Sequence, residues 1–386
     1  MSTKNIFPIE LFQDNETPFY YYNLDLLRQT INHLKHSIEK NPEYIVHYAI
    51  KANANPVLLK IIAQAGLGAD CVSGGEILAA IQAGISPAKI VYAGVGKTDK
   101  EINIGLDNDI FCFNVESIPE LEVINQLALR KDVIARVALR INPEVEAHTH
   151  SHITTGKAEN KFGISLSDLD RVFAIMHDMT NVSFVGLHFH IGSQILDMND
   201  FEALCHRVNS ILSHLYSQGV AIQYINVGGG LGIDYESPIE HPIPDFDKYF
   251  NTFRKHIQLQ RGQTLHFELG RAIVAQCGTL ISRVIFVKEG ESKKFVIIDA
   301  GMTDLIRPAL YDAHHHIANI TSYSAEQEVY DIVGPICESS DVFGRDIKLP
   351  VTSRGDVIAI FSAGAYGESM ASQYNCRPIT HSIFSE

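Results

Sequence analysis

Residues 43–93 read EYIVHYAIKANANPVLLKIIAQAGLGADCVSGGEILAAIQAGISPAKIVYA. Three short runs rich in β-branched and apolar residues, 44–50, 67–72 and 89–93, alternate here with two helical patterns, 56–65 and 75–83. Strand, helix, strand in this rhythm predicts a parallel sheet covered by helices. Working outward, the rhythm continues. Further strands are expected at 110–114, 133–141, 182–190, 223–227 and 265–268, and further helices at 99–107, 118–129, 166–176, 200–218 and 246–257. Apolar residues in 201–215 recur on one helical face. Eight strands with intervening helices predict a (β/α)8 barrel rather than an open doubly wound sheet.

After Arg271 the rhythm changes. The runs 280–287, 295–298, 329–333 and 357–361 read as strands with loops between them, and FYYYN around Tyr20 has the same character. The expected class is therefore α/β plus β. A barrel is expected over 30–270, with a mostly β domain built from 1–29 and 271–386. A chain of 386 residues is long enough for two such cores.

A formal charge of −14 leaves no excess of Lys and Arg to neutralise phosphates, which excludes a general nucleic-acid binder. No stretch reaches membrane-spanning length, and the opening MSTKNIFPIE lacks an apolar core, so no membrane partner is expected. Six cysteines at 71, 112, 205, 277, 337 and 376, without CxxC pairs, suit a reducing cytoplasm.

Barrels of this kind work at the C-terminal ends of their strands. The residues there are Lys51, Asp70, Arg140, His190, the glycines 228–230, and Glu268 with Arg271. Lys51 directly follows HYAI. Burial at such a position would lower its amine pKa and suit attack on an aldehyde, although a lone lysine past a strand is more often a surface residue. GGGLG at 228–232 offers backbone N–H groups to a phosphate, or simply makes a tight turn. Ile233 stands where a dinucleotide fingerprint needs glycine. Glu268 suits a protonated ring nitrogen, or an ion pair with Arg271. Alternation along 186–190 predicts that His188 and His190 share one side of a strand. Two histidine clusters, 148–152 and His314–His316, lack zinc-type spacing, so no metal is expected.

Together HYAIKANAN (47–55), GLHFHIGSQ (186–194), NVGGGLG (226–232) and FELGR (267–271) resemble the fold-type III pyridoxal-phosphate decarboxylases, relatives of ornithine decarboxylase and more distantly of alanine racemase. DAGMTDLIRPALYDAHH (299–315), GPICESSDVF (334–343) and AGAYGESMASQYNCRP (363–378) are similar to the diaminopimelate decarboxylase branch of that family. The resemblance runs from TPFYYY at 17–22 to the final RP. It implies pyridoxal phosphate as cofactor, meso-diaminopimelate as substrate, lysine and CO2 as products, and a homodimer with shared sites. It makes Lys51 the residue that bonds to the cofactor aldehyde, and His190 the residue that stacks on its ring. Asp70, Arg140, Ser193, Gly229, Gly230, Glu268, Gly270, Arg271 and Tyr366 would contact the cofactor. Arg271, Arg307, Tyr311, Glu338 and Tyr366 would bind substrate, and Cys337 would donate a proton in the partner subunit's site. The segment 148–163 matches a family loop at the barrel mouth. The family usually has EPGR where this chain has Glu268–Leu269–Gly270–Arg271, and leucine there restores a backbone N–H. An ornithine-type or carboxynorspermidine-type decarboxylase, or a silent cofactor-binding homologue, are the alternative readings.

Overall fold

The structure is a computed structural model and describes residues 6–145 and 161–386. The expected histidine cluster at 148–152, and the segment 148–163 up to residue 160, lie outside the described residues. The chain divides into two compact units: residues 31–232 with 245–270, and residues 1–30 with 233–244 and 271–386.

The first strand of the chain, β1 (Phe19–Tyr22), belongs to the second unit. The first unit is a closed barrel of eight parallel strands: β2 (Tyr44–Ala49), β3 (Gly68–Cys71), β4 (Ile90–Tyr92), β5 (Cys112–Val115), β6 (Ala135–Arg140), β7 (Val182–His188), β8 (Tyr224–Asn226) and β9 (Thr264–Leu269). They pair in chain order, and β9 returns to β2 with Tyr44 opposite Leu265 and Tyr48 opposite Leu269. The helix between β2 and β3, Pro56–Gln64, is one of the connectors that the sequence pattern placed. Three of the connecting helices start on the pattern Ser/Thr-x-x-Glu, at 73–76, 98–101 and 117–120. Each first residue accepts the N–H of the glutamate three positions on, and at Thr98 the glutamate also bonds back. Each cap satisfies one of the orphan N–H groups of its helix start, where the chain leaves the preceding loop.

Which side of a strand faces the barrel interior follows from packing. On β9 the Phe267 ring lies 4.9 Å from Phe250 and 5.1 Å from Phe253, both on the helix Phe246–His256. Phe267 therefore faces outward, and alternation turns His266 and Glu268 inward.

Beneath Glu268, two buried histidines fill the barrel. His47 Nδ1 lies 3.1 Å from the Lys89 carbonyl, which can only accept, so His47 carries its proton on Nδ1. His47 Nε2 then accepts from Nδ1–H of His266 at 2.7 Å, and the Thr264 hydroxyl donates to Nε2 of His266 at 2.9 Å. This chain of bonds needs both rings neutral. Burial lowers the His47 pKa to about 4 and puts that of His266 well below the usual histidine range. Above about pH 7.5 the His47 ring is neutral in folded and unfolded chains alike. As pH falls from there, the unfolded chain takes up a proton at residue 47 that the folded chain refuses, so stability is lost. Between about pH 7.5 and 5 this one residue should contribute a loss of about 2 kcal/mol. Urea midpoints at the two pH values, compared with those of His47→Asn, measure it. An equal pH response in both proteins would refute the account.

The second unit is an eight-stranded sheet. Its strands after β1 are β10 (Gly278–Glu289), β11 (Lys294–Ile298), β12 (Ile317–Asn319), β13 (Gln327–Val333), β14 (Val342–Pro350), β15 (Val357–Ile360) and β16 (His381–Phe384). The main order is β12-β15-β10-β11-β13-β14. β1 runs antiparallel to β10 and parallel to β16. Phe7, Phe12, Phe19 and Tyr21 form a buried apolar cluster with Ile281, Val357 and Phe361. Residues 233–244, expected with the barrel, group with this unit: Gln276 Nε2 donates to the His241 carbonyl at 2.6 Å, and His314 sits 3.3 Å from Glu236. Among the described residues, no helix is long and apolar enough to cross a membrane.

Candidate active site

In the barrel, polar residues gather where the strands end. Glu268 is buried near the end of β9. Its Oε1 accepts from Asn226 Nδ2 at 2.7 Å and from Asn114 Nδ2 at 3.3 Å, while Oε2 lies 2.9 Å from Nε2 of His188. Burial drives the His188 pKa well below its usual range, so a neutral His188 donates this bond. Burial also raises the Glu268 pKa, against the pull of the Lys51 charge. Asp70, on β3, is pushed up well above the carboxylate range by burial and by the neighbouring Glu268. Its buried Oδ1 has no hydrogen-bond partner among the described residues, and the same holds for Nδ1 of His188 and Oδ1 of Asn114.

Lys51 departs from expectation. It is exposed, because β2 ends at Ala49 and the 3-10 turn Ile50–Ala52 carries residue 51 beyond the last strand pairing. Its charge still lowers the pKa of both Asp70 and Glu268, which places the amine near the two carboxylates. His188 and His190 also part company. β7 stops at His188, so His190 follows the loop, where its Nδ1 accepts a 3.4 Å bond from the Gly229 N–H. Burial holds His190 well below the usual histidine pKa as well.

Asp70 and Glu268 have close charged company. Arg140, at the end of β6, makes a 2.8 Å ion pair with Glu116, and its guanidinium lies 4.7 Å from the Phe162 ring. Glu116 also accepts the N–H groups of Gly94 and Gly163. Glu76 is raised to about 7 by burial, although the Val72 N–H bonds to it.

The glycine run has a geometric reason. A Cβ at Gly229 would overlap the carbonyl oxygen of Glu268, and Gly228 and Gly230 take φ of +71° and +103°. Such backbone suits glycine and lets the chain turn tightly beside β9. The loop that carries Ser193 is tied to this turn, since Ile195 N–H donates to the Gly230 carbonyl at 2.9 Å. Gly270 follows β9, and a Cβ there would press on Ala49 and Ala52.

In the β unit a second group of residues comes together. Arg271 and Arg307 are both buried. Arg271 Nη1 donates to the Tyr235 hydroxyl at 2.6 Å, and its guanidinium lies 4.9 Å from the Tyr366 ring. The Arg307 guanidinium stands 4.8 Å from the Tyr235 ring. His315 donates from Nδ1 to the Phe361 carbonyl at 2.8 Å, so its Nε2 accepts from Arg307 Nη1 at 2.7 Å. Burial lowers His315 to about 3, which keeps it neutral. Among the described residues no carboxylate forms an ion pair with Arg307. Tyr366 has φ +57°, a costly backbone for a bulky residue and a mark of functional sites. Tyr311 ends the short helix Arg307–Tyr311. Cys337 and Glu338 are exposed: Cys337 N–H donates to Asn375 Oδ1 at 3.0 Å, and Tyr374 donates to Glu338 Oε1 at 2.6 Å. The three consecutive histidines diverge. His314 is exposed, His315 is buried, and the His316 ring rests 5.3 Å from Phe361.

A family profile described as "Pyridoxal-dependent decarboxylase, pyridoxal binding domain" matches residues 24–275. The diaminopimelate decarboxylase of Bacteroides thetaiotaomicron is 61% identical over 383 residues, covering 99% of both chains. This chain belongs to the diaminopimelate decarboxylase family. The solved diaminopimelate decarboxylase of Helicobacter pylori complexed with L-lysine superposes with a TM-score of 0.92 at 41% identity, covering 98% of this chain and 94% of that one. A lysine/ornithine decarboxylase of Vibrio vulnificus has a TM-score of 0.85 at 23% identity, covering 100% and 99%, and so shares the fold. Family membership makes pyridoxal phosphate the cofactor. The residues present fit it: a lysine past a barrel strand, a glycine turn against the end of β9, and a buried carboxylate, Asp70, with an acceptor still unmatched.

The sequence reading missed Asn114, His188 as the partner of Glu268, Glu116, Tyr235 and His315. Asn226 stood in plain view as the first residue of NVGGG, and Asn114 ends an apolar run much as Lys51 does. Tyr235 and His315 have no such local mark.

Proposed function

We propose that this chain removes one carboxylate from meso-2,6-diaminopimelate, giving L-lysine and CO2. The observation that carries the substrate choice is Arg307, a buried guanidinium that meets a neutral histidine and Tyr235 and, among the described residues, forms no ion pair with a carboxylate. A buried cation of this kind is costly unless an anion completes it. The distal carboxylate of diaminopimelate supplies that anion, with Arg271 as the second guanidinium. Ornithine and lysine have no such group, and for them the arginine would be a liability.

Pyridoxal phosphate, when bound, serves as the sink for the electron pair left behind when CO2 departs. Lys51 would be the residue that holds the cofactor through its aldehyde. Glu268, which accepts from Asn226 and His188, would face its ring nitrogen and favour a proton there. His190, Asp70 and Arg140 would line the cofactor, and Ser193, Gly229 and Gly230 would receive its phosphate. The Cα–carboxylate bond breaks and a Cα–H bond forms, so one proton must be delivered. We assign that delivery to the Cys337 thiol, acting with Glu338 in the site of a second copy within a homodimer. The exposure of both residues in a single chain supports this reading. We place the enzyme in the cytoplasm.

Incubation of the protein with pyridoxal phosphate and meso-diaminopimelate should release lysine and CO2 in equal amounts. Release of CO2 from ornithine or lysine, but not from diaminopimelate, would reject the substrate. Arg307→Ala should lower kcat/KM for diaminopimelate by about 10²- to 10³-fold, since it removes a charge-assisted bond to substrate. A variant that kept wild-type kcat/KM would reject the role given to Arg307.

A further inference from the structure

The helices Met198–Ser217 and Phe246–His256 pack side by side on the outside of the barrel. The Phe201 ring meets Tyr249 at 4.9 Å and Phe253 at 5.8 Å. Asn209 locks the end of the second helix, donating to the His256 carbonyl at 2.8 Å and accepting the Gln258 N–H at 3.0 Å. Glu202 and His206 stand four residues apart on the first helix, so they share one face. His256 closes the second helix and faces the same spot.

The three side chains converge. His206 Nε2 lies 3.5 Å from Glu202 Oε1, and His256 Nδ1 lies 3.6 Å from that same oxygen. The donor atoms all fall within 4.8 Å of one another. Tetrahedral zinc, with bonds of about 2.0–2.2 Å, spaces its ligands by roughly 3.3–3.6 Å. Two of the three edges already have that length, and the third needs only a turn of an exposed imidazole. His206 is exposed and His256 largely covered, so one ligand is anchored and one adjusts. The adjoining cleft carries Asp245 and Asp247 but also Lys248 and Lys255, so these charges balance and the ligand set itself must hold the ion.

We propose that Glu202, His206 and His256 form a binding site for a divalent transition-metal ion of the zinc or nickel class, with water as the remaining ligand. Two imidazoles select such ions over magnesium or calcium, which want oxygen donors. The site is separate from the residues given catalytic roles above. Its ligands come from two helices that only the folded barrel brings together, so the ion clamps them and stabilises the fold by mass action. The sequence held no sign of it, because the second histidine arrives through tertiary packing.

The test uses tag-free holoenzyme stripped of metal by chelation. Calorimetric titration with ZnCl2, and separately with NiCl2, should find one strong site per chain with a Kd on the order of micromolar. Both ions should raise the melting temperature, and MgCl2 should not. His206→Ala and His256→Ala should each weaken zinc binding by at least about 10-fold. Both should keep the metal-free melting temperature and the decarboxylase rate. Glu202→Gln should weaken binding while leaving the helices intact. Absence of zinc and nickel binding in the wild type, or full affinity in the double variant His206→Ala/His256→Ala, overturns the proposal.

Discussion

Lys51→Ala should lose decarboxylation by a factor on the order of 10⁴ or more, because the role proposed for this amine is to hold and exchange the cofactor's aldehyde carbon. The variant should fold, since residue 51 is exposed and sits outside the strand pairings. A second readout follows from electrostatics. The Lys51 charge now lowers the pKa of Asp70 and Glu268, so its removal should raise both carboxylates further. Borohydride treatment of wild-type holoenzyme should leave the cofactor attached to the peptide that contains residue 51. Recovery of the label on another lysine, or near-normal turnover by the alanine variant, would end this account of the site.

Glu268→Gln should lower kcat by about 10²- to 10³-fold while KM changes far less, because the lost charge acts most strongly as electron density moves into the ring. The change in shape is small, but its hydrogen bonding is not. Glu268 accepts from Asn226, Asn114 and His188 with two oxygens. An amide has one oxygen, so its NH2 must face one of those donors. Some loss of melting temperature is therefore expected, and kcat must be measured where the variant is fully folded. An unchanged kcat would show that the carboxylate has no part in the chemistry.

The barrel was legible because its strands lie buried on both faces and read as apolar runs, each bounded by an amphipathic helix. The β unit was harder. β14 carries VFGRDIKLP, where charge, glycine and proline hide a strand whose pairing comes from β13. β12 has three residues and β16 four, too short for any period to show. The helix Leu24–Ile38 was missed because its surface is strongly polar, although Leu24, Leu27, Ile31 and Leu34 mark one buried face. The same division holds in the site. Lys51 and Glu268 announce themselves as polar residues ending apolar runs. Tyr235 and His315 do not, since their meaning depends on Arg271 and Arg307, whose approach is set by tertiary packing. The burial expected of Lys51 failed for a local reason, a single 3-10 turn.

The placement of β1 orders events during synthesis. This strand is made early, yet its two neighbours are β10 and β16. While the ribosome produces the whole barrel, Phe19–Tyr22 must wait as an unpaired, aromatic, aggregation-prone segment. The barrel strands, by contrast, meet partners made just before or after them, apart from the final closure of β9 on β2. Nascent chains stalled once residue 270 has cleared the ribosomal tunnel should thus carry a protease-resistant barrel and a protease-sensitive leading segment, which becomes protected as β10 and then β16 emerge.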